Sequence, residues 1–162
     1  MGKNLKYIFA AGFVGACMLA FTGCGDEGCT EATTSYTVAS LVPVAGTSPV
    51  PPKSVSVYGI GQKEDSVMIQ NSTSFKSLAL LLNPDTTCTK MLFEFPVSET
   101  DTLRDTLSFY YKNQVYFLTI DCGCTVQNYL DSVLHTNHLI KNLEIVNPEV
   151  KNEKTQNITL YY

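Results

Sequence analysis

The 162-residue chain contains no tryptophan, only two histidines, and 11 Lys and Arg against 15 Asp and Glu. Without tryptophan it lacks the core residue of an antibody-type domain, so an immunoglobulin-like reading can refer to architecture only. The shortage of cations, with no basic cluster, argues against a nucleic-acid ligand, because neutralising phosphates requires Lys and Arg. Long apolar runs are also scarce: after residue 24 none approaches the ~20 residues a membrane-spanning helix needs. No segment carries the apolar period of a convincing amphipathic helix, and no repeat or long low-complexity tract is present.

What is present begins at the amino terminus. Lys3 and Lys6 precede an apolar or small stretch over residues 7–20, followed by Phe21-Thr22-Gly23-Cys24. The stretch is too short to span a bilayer comfortably and has the size of a cleaved signal segment. The last four residues resemble the box read by a lipoprotein signal peptidase, in which small residues admit the backbone and the following thiol is diacylated. The expectation is a signal peptide over residues 1–23, a lipidated tether over 24–34 beginning at Cys24, and one domain over 35–162. Several acyl chains on Cys24 would hold it far more firmly than one, so no transmembrane helix is needed. Asp26 and Glu27 follow at once and resemble a surface-export signal, leaving the periplasmic face and the cell surface both open. Cleavage removes two lysines and no acid, giving a mature charge of 9 − 15 = −6 over 162 − 23 = 139 residues, enough to bury one core.

With Cys17 removed and Cys24 acylated, four cysteines remain: Cys29, Cys88, Cys122 and Cys124. An even count outside the cytoplasm favours disulfides. Cys122 and Cys124, two apart in a strand-like run, project from one face and should not bridge each other. That leaves two pairings, Cys29 with Cys122 and Cys88 with Cys124, which is preferred, or the crossed arrangement. Pinning Cys29 leaves residues 25–28 as the free tether, a reach of about 15 Å, and places the domain close to the membrane.

Strand signals then recur along the chain. Residues 36–42 are rich in β-formers, four prolines mark a loop over 43–53, and Ser54-Val55-Ser56-Val57-Tyr58 alternates with valines inward. Residues 66–70 and 77–82 read as short strands, the latter buried on both faces. Residues 89–95 put Met91, Phe93 and Phe95 on one side. Residues 105–111, with Leu107, Phe109 and Tyr111 on one face, and 115–124, with Tyr116, Leu118, Ile120, Cys122 and Cys124 on one face, predict a hairpin turning at Lys112-Asn113-Gln114. Residues 126–134 are ambiguous between strand and helical turn; 139–146 and 157–162 alternate as strands. Eight or nine short strands without a helix predict an all-β, two-sheet antiparallel β-sandwich, with a closed barrel as the alternative.

Val57-Tyr58-Gly59-Ile60-Gly61, the run from Asp105 to Tyr111, Asp121-Cys122-Gly123 and residues 136–162 together resemble an uncharacterised family, a domain of unknown function found in small Bacteroidota-type lipoproteins. The resemblance implies a lipoprotein and a β-sandwich and adds no activity. It also implies one early cysteine and one at the position of Cys122, which fits Cys29 with Cys122 and leaves Cys88 and Cys124 as additions.

Other constellations carry less. Cys122 and Cys124 with His135 and His138 match no common zinc spacing, so no metal or cofactor is expected, and a Cys and His nucleophile pair would need a free thiolate where disulfides are expected. Glu64, Asp65, Glu99, Asp101 and Asp105 read as solvated loop charges. Asp-Ser and Asp-Thr triplets beginning at Asp65, Asp101, Asp105 and Asp131 resemble O-glycosylation acceptors and are also ordinary turn dipeptides. The expected function is a non-catalytic outer-membrane lipoprotein, an accessory or binding module of the envelope. Its partners would be the membrane through the lipid and a protein or glycan the sequence does not name. A purely structural envelope component is the alternative, with an unrecognised enzyme behind both.

Overall fold

The computed structural model describes residues 29, 33–46, 51–61 and 66–162. The expected signal segment and lipidated Cys24 lie outside the described residues. Cys29 belongs to a leading unit, Met1–Thr30, and everything below concerns the unit Glu31–Tyr162. There the described residues form ten strands and no helix: β1 (Thr37–Val42), β2 (Val55–Ile60), β3 (Ser66–Ser72), β4 (Leu78–Leu80), β5 (Cys88–Pro96), β6 (Thr102–Thr119), β7 (Gly123–His135), β8 (Asn142–Ile145), β9 (Glu149–Val150) and β10 (Gln156–Tyr161).

Two sheets result, a four-stranded one ordered β4-β1-β10-β8 and a six-stranded one ordered β3-β2-β5-β6-β7-β9. The protein is an all-β sandwich. Period-two alternation builds its core: Met91, Phe93 and Phe95 of β5 and Leu107, Phe109 and Tyr111 of β6 all point inward and are buried. Ala39 and Leu41 of β1 and Ile158 and Leu160 of β10 join them from the smaller sheet. Val55 and Val57 are inward as expected.

The structure departs from the expected wholly antiparallel pairing at one place, where β1 and β10 run parallel. The register shifts between Val38 and Ala39, and the buried Asn157 fills the gap: its Oδ1 accepts the Val38 amide at 2.9 Å, and its Nδ2 donates to the carbonyls of Asn147 and Glu149. A bulge leaves backbone groups without ladder partners, and here a buried carboxamide supplies an acceptor to an unpaired amide and donors to nearby carbonyls.

Three local expectations are corrected. β4 buries Leu78 and Leu80 but exposes Ala79, as befits an edge strand with one covered face. Leu139 and Ile140 are buried in a loop, and β8 is confined to Asn142–Ile145. The largest correction concerns the hairpin. Lys112, Asn113 and Gln114 do not turn; β6 runs through them, pairing Asn113 with Asn128 of β7. Asn113 is kept in a strand because every polar atom of its side chain finds a partner. Its Nδ2 donates to the carbonyls of Pro84 and Thr86 at 2.7 Å, and its Oδ1 accepts from Asn128 Nδ2 at 2.7 Å. The chain reverses at residues 120–122, and Gly123 enters β7 at φ +67°, a left-handed conformation that suits glycine.

Candidate functional site

Beyond Tyr110, β6 loses β5 as a neighbour, because β5 begins at Cys88 opposite Tyr110. What continues is a two-stranded arm from Tyr111 and Leu130 out to Thr119 and Gly123. A two-stranded ribbon is marginal in water on its own, so the arm needs bracing. The Asn113 and Asn128 side chains tie its base to the 84–86 loop. Thr125 Oγ1 donates to the carbonyl of Thr33, Ser35 Oγ donates to the carbonyl of Val126, and β9 pairs with Asn128 and Tyr129. At the tip, Thr119 Oγ1 accepts the Cys122 amide at 3.1 Å, and Cys122 is disulfide-bonded.

The arm exposes apolar side chains on both faces: Val115 and Phe117 on one, Tyr116 and Tyr129 on the other, with Ile120 at the reversal 91 % exposed. Ile120 was expected in a strand, on one face with Tyr116, Leu118, Cys122 and Cys124. The turn at Ile120-Asp121-Cys122 breaks that alternation and turns the residue to solvent. The sequence signal that identifies this turn is Asp121-Cys122-Gly123, a turn-forming acid two residues before a glycine.

The preferred second disulfide is not formed, since Cys88 and Cys124 are free thiols. The register explains why. Cys88 lies opposite the exposed Tyr110, whereas Cys124 lies opposite Phe117, on the face that Tyr111 occupies. The two thiols therefore sit on opposite faces and about 23 Å apart along β6, against the roughly 6 Å that a disulfide spans between Cα atoms. Cys122 and Cys124 do not share a strand face either, because Cys122 belongs to the turn. His135 ends β7 at the extremity far from Cys124, and among the described residues no group of three His, Cys, Asp or Glu side chains converges as a metal site would.

Asp105 also departs from expectation. Far from being a solvated loop charge, it is 1 % exposed near the start of β6. Its Oδ1 accepts from Thr136 Oγ1 at 2.7 Å and the His138 amide at 2.8 Å, and its Oδ2 accepts the amides of Leu139 and Ile140 at 2.8 and 2.9 Å. Burial alone would raise its pKa. The backbone donors of His138, Ile140 and Leu139 and the Thr136 hydroxyl outweigh that and hold it below the usual carboxylate value. A carboxylate saturated with donors is a clamp for the 136–140 loop rather than a base able to accept a proton.

Two open grooves flank these elements. One of about 420 Å³ runs between residues 33–35, Leu82 and Pro84 on one side and Cys124 and Val126 on the other. Another of about 350 Å³ is lined by Gly59, Ser66, Met68, Cys88 and Lys90. Cys124 thus stands at the margin of the first and Cys88 at the second.

Residues 54–162 match a family described as Family of unknown function (DUF6452). The chain belongs to this family. The matched region starts just before β2 and contains the arm, Asp105 and three of the four cysteines considered above, but not Cys29 or β1. No curated protein and no solved structure matches the chain.

Proposed function

We propose that the protein is a lipid-anchored, non-catalytic module of a bacterial cell envelope, held at the outer membrane through Cys24 and presenting its sandwich and arm to a protein or glycan partner. The observation that carries this reading is that Cys29 and Cys122 are both oxidised as disulfides: an oxidised cysteine five residues after the candidate acylation site fits an exported chain. Phe21-Thr22-Gly23-Cys24 supplies the anchor chemistry. The donor-saturated Asp105 supports a structural rather than catalytic use of the best-buried acid. The exposed Val115, Tyr116 and Phe117 support a surface made for contact.

Cells producing the full chain and fed radiolabelled palmitate test the anchor. Label should enter the protein, and Cys24→Ser should abolish both labelling and membrane fractionation. A wild-type chain that takes up no label and fractionates as a soluble protein sinks the proposal. Labelling of intact cells with a membrane-impermeant amine reagent then separates surface display from the periplasmic face.

A further inference from the structure

We infer that the face of the β6–β7 arm carrying Tyr116 and Tyr129, where it meets β9, is a binding site for an uncharged oligosaccharide. This names the class of ligand within the binding role proposed above and rests on that role, though not on the lipid anchor.

A groove of about 230 Å³ opens there, lined by Gln114 and Tyr116 of β6, Gln127 and Tyr129 of β7, Glu149 of β9 and Lys151 just after it. Strand periodicity sets this lining. Gln114 lies directly opposite Gln127; Tyr116 stands one pair further toward the tip on the same face, and Tyr129 one pair nearer the sandwich, opposite Lys112. β9 widens the floor, since Glu149 pairs with Tyr129. The two tyrosines are thus on neighbouring strands and four residue steps apart along the arm, about 14 Å between Cα atoms. That exceeds the length of one pyranose ring, so the site suits linked sugars rather than a monosaccharide.

The side chains match a ligand rich in hydroxyls. Both tyrosines are 50 % exposed, and an aromatic ring turns a negative π face toward the weakly positive C–H face of a sugar. Between them, neither glutamine carboxamide has a hydrogen-bond partner among the described residues, so both present donors and an acceptor to the groove. A sugar hydroxyl donates and accepts at once and satisfies both kinds of group. A proline-rich peptide, which also favours aromatic-lined grooves, brings carbonyl acceptors and few donors, and would leave the glutamine carbonyls and the Glu149 carboxylate unanswered.

Charge narrows the class further. The one acid and one base of the lining neutralise each other, with Lys151 Nζ 2.6 Å from Glu149 Oε2. Lys112, on the same face, is held by Asp131 at 3.4 Å. No unpaired cation in the lining selects a sulfated, phosphorylated or uronate sugar. A single carboxylate is also too few for glycoside hydrolysis, which needs a pair, so the ligand is held and not cut.

The test titrates the full chain, in a detergent without a sugar headgroup, with maltohexaose, cellohexaose, xylohexaose and mannohexaose by calorimetry. Decaproline is the peptide probe, and the sugar mixtures are afterwards chromatographed for shortened products. At least one hexasaccharide should bind with sub-millimolar affinity, unchanged by added salt. Tyr116→Ala and Tyr129→Ala should each weaken it about 3–10-fold, and the double variant should abolish it. Gln114→Ala combined with Gln127→Ala should cost about tenfold. Val115→Ala, on the opposite face, should change nothing, and an unchanged urea midpoint shows that each variant is folded. Failure of every hexasaccharide to bind at millimolar concentration overturns the inference, as does binding that survives loss of both tyrosines. Decaproline binding that disappears with the tyrosines, without sugar binding, gives the groove to a protein partner; it overturns the inference and keeps the binding role. Shortened products support the site and remove the non-catalytic reading instead.

Discussion

The hydroxyl of Thr136 donates a 2.7 Å hydrogen bond to Oδ1 of Asp105, a residue 31 positions earlier and buried near the start of β6. The same hydroxyl accepts the Thr106 amide, and the Thr136 amide donates to the Thr106 carbonyl, so one short segment closes the end of β7 over the core.

Asp105→Asn should be strongly destabilising although it is nearly isosteric. The carboxamide brings two hydrogens to a site already filled with donors, leaving the Leu139 and Ile140 amides or the Thr136 and His138 donors unpaired. The cost should be about 2–4 kcal/mol in urea unfolding. The sign of the pH dependence follows from the lowered pKa. Stability from Asp105 is fully present above its unfolded value of about 4 and is lost as pH falls through the lower folded value. The variant should lack this acid-side loss, and an unchanged acid profile would count against the clamp.

Tyr111→Phe removes a hydroxyl that donates to the Asn83 carbonyl at 2.7 Å and lies 2.6 Å from Thr89 Oγ1. Thr89 Oγ1 in turn accepts the Asn83 amide, so the phenol ties the 83–86 loop to β5 and β6 where the arm departs. We expect a loss of about 1–2 kcal/mol with the sandwich retained, read as a lower urea midpoint at unchanged slope.

Thiol chemistry should separate the four cysteines. Protein isolated from the producing cells without reductant should yield alkylatable thiols at Cys88 and Cys124, Cys124 reacting before the half-buried Cys88. Replacing Cys29 and Cys122 together by Ser should lower stability by about 2–4 kcal/mol, the usual loss when a native disulfide is removed. Mass spectrometry that finds no free thiol would contradict the face assignment of Cys88 and Cys124.

Thr37→Val should be neutral or stabilising, by up to about 1 kcal/mol. Thr37 is fully buried in β1 and its Oγ1 has no hydrogen-bond partner, so the hydroxyl has left water without compensation. A thermal melt that falls by several degrees would show that the hydroxyl is satisfied after all.

Much of this was legible in the chain. Alternation in Val55-Ser56-Val57 and in Met91, Phe93 and Phe95 determined inward faces, because a strand has period two and only one face meets the other sheet. The even cysteine count after a candidate export signal suggested oxidation, and Cys29 and Cys122 are both disulfide-bonded. The turn at 112–114 was misread because Lys-Asn-Gln is polar, and polarity alone does not reveal that Asn113 has acceptors waiting at Pro84 and Thr86. Asp105 was misread for the same reason: its donors come from residues 136–140, a separation no local pattern reports.

By itself, then, the sequence determined the class of fold and the inward residues of the major strands, both of which depend on near-neighbour periodicity and composition. The tertiary structure decided the parallel union of β1 with β10, the burial of Asp105, the separation of Cys88 from Cys124 and the exposure of Ile120. Those depend on which distant strands pair and in what register, and a single register position decides whether a side chain meets the core or water.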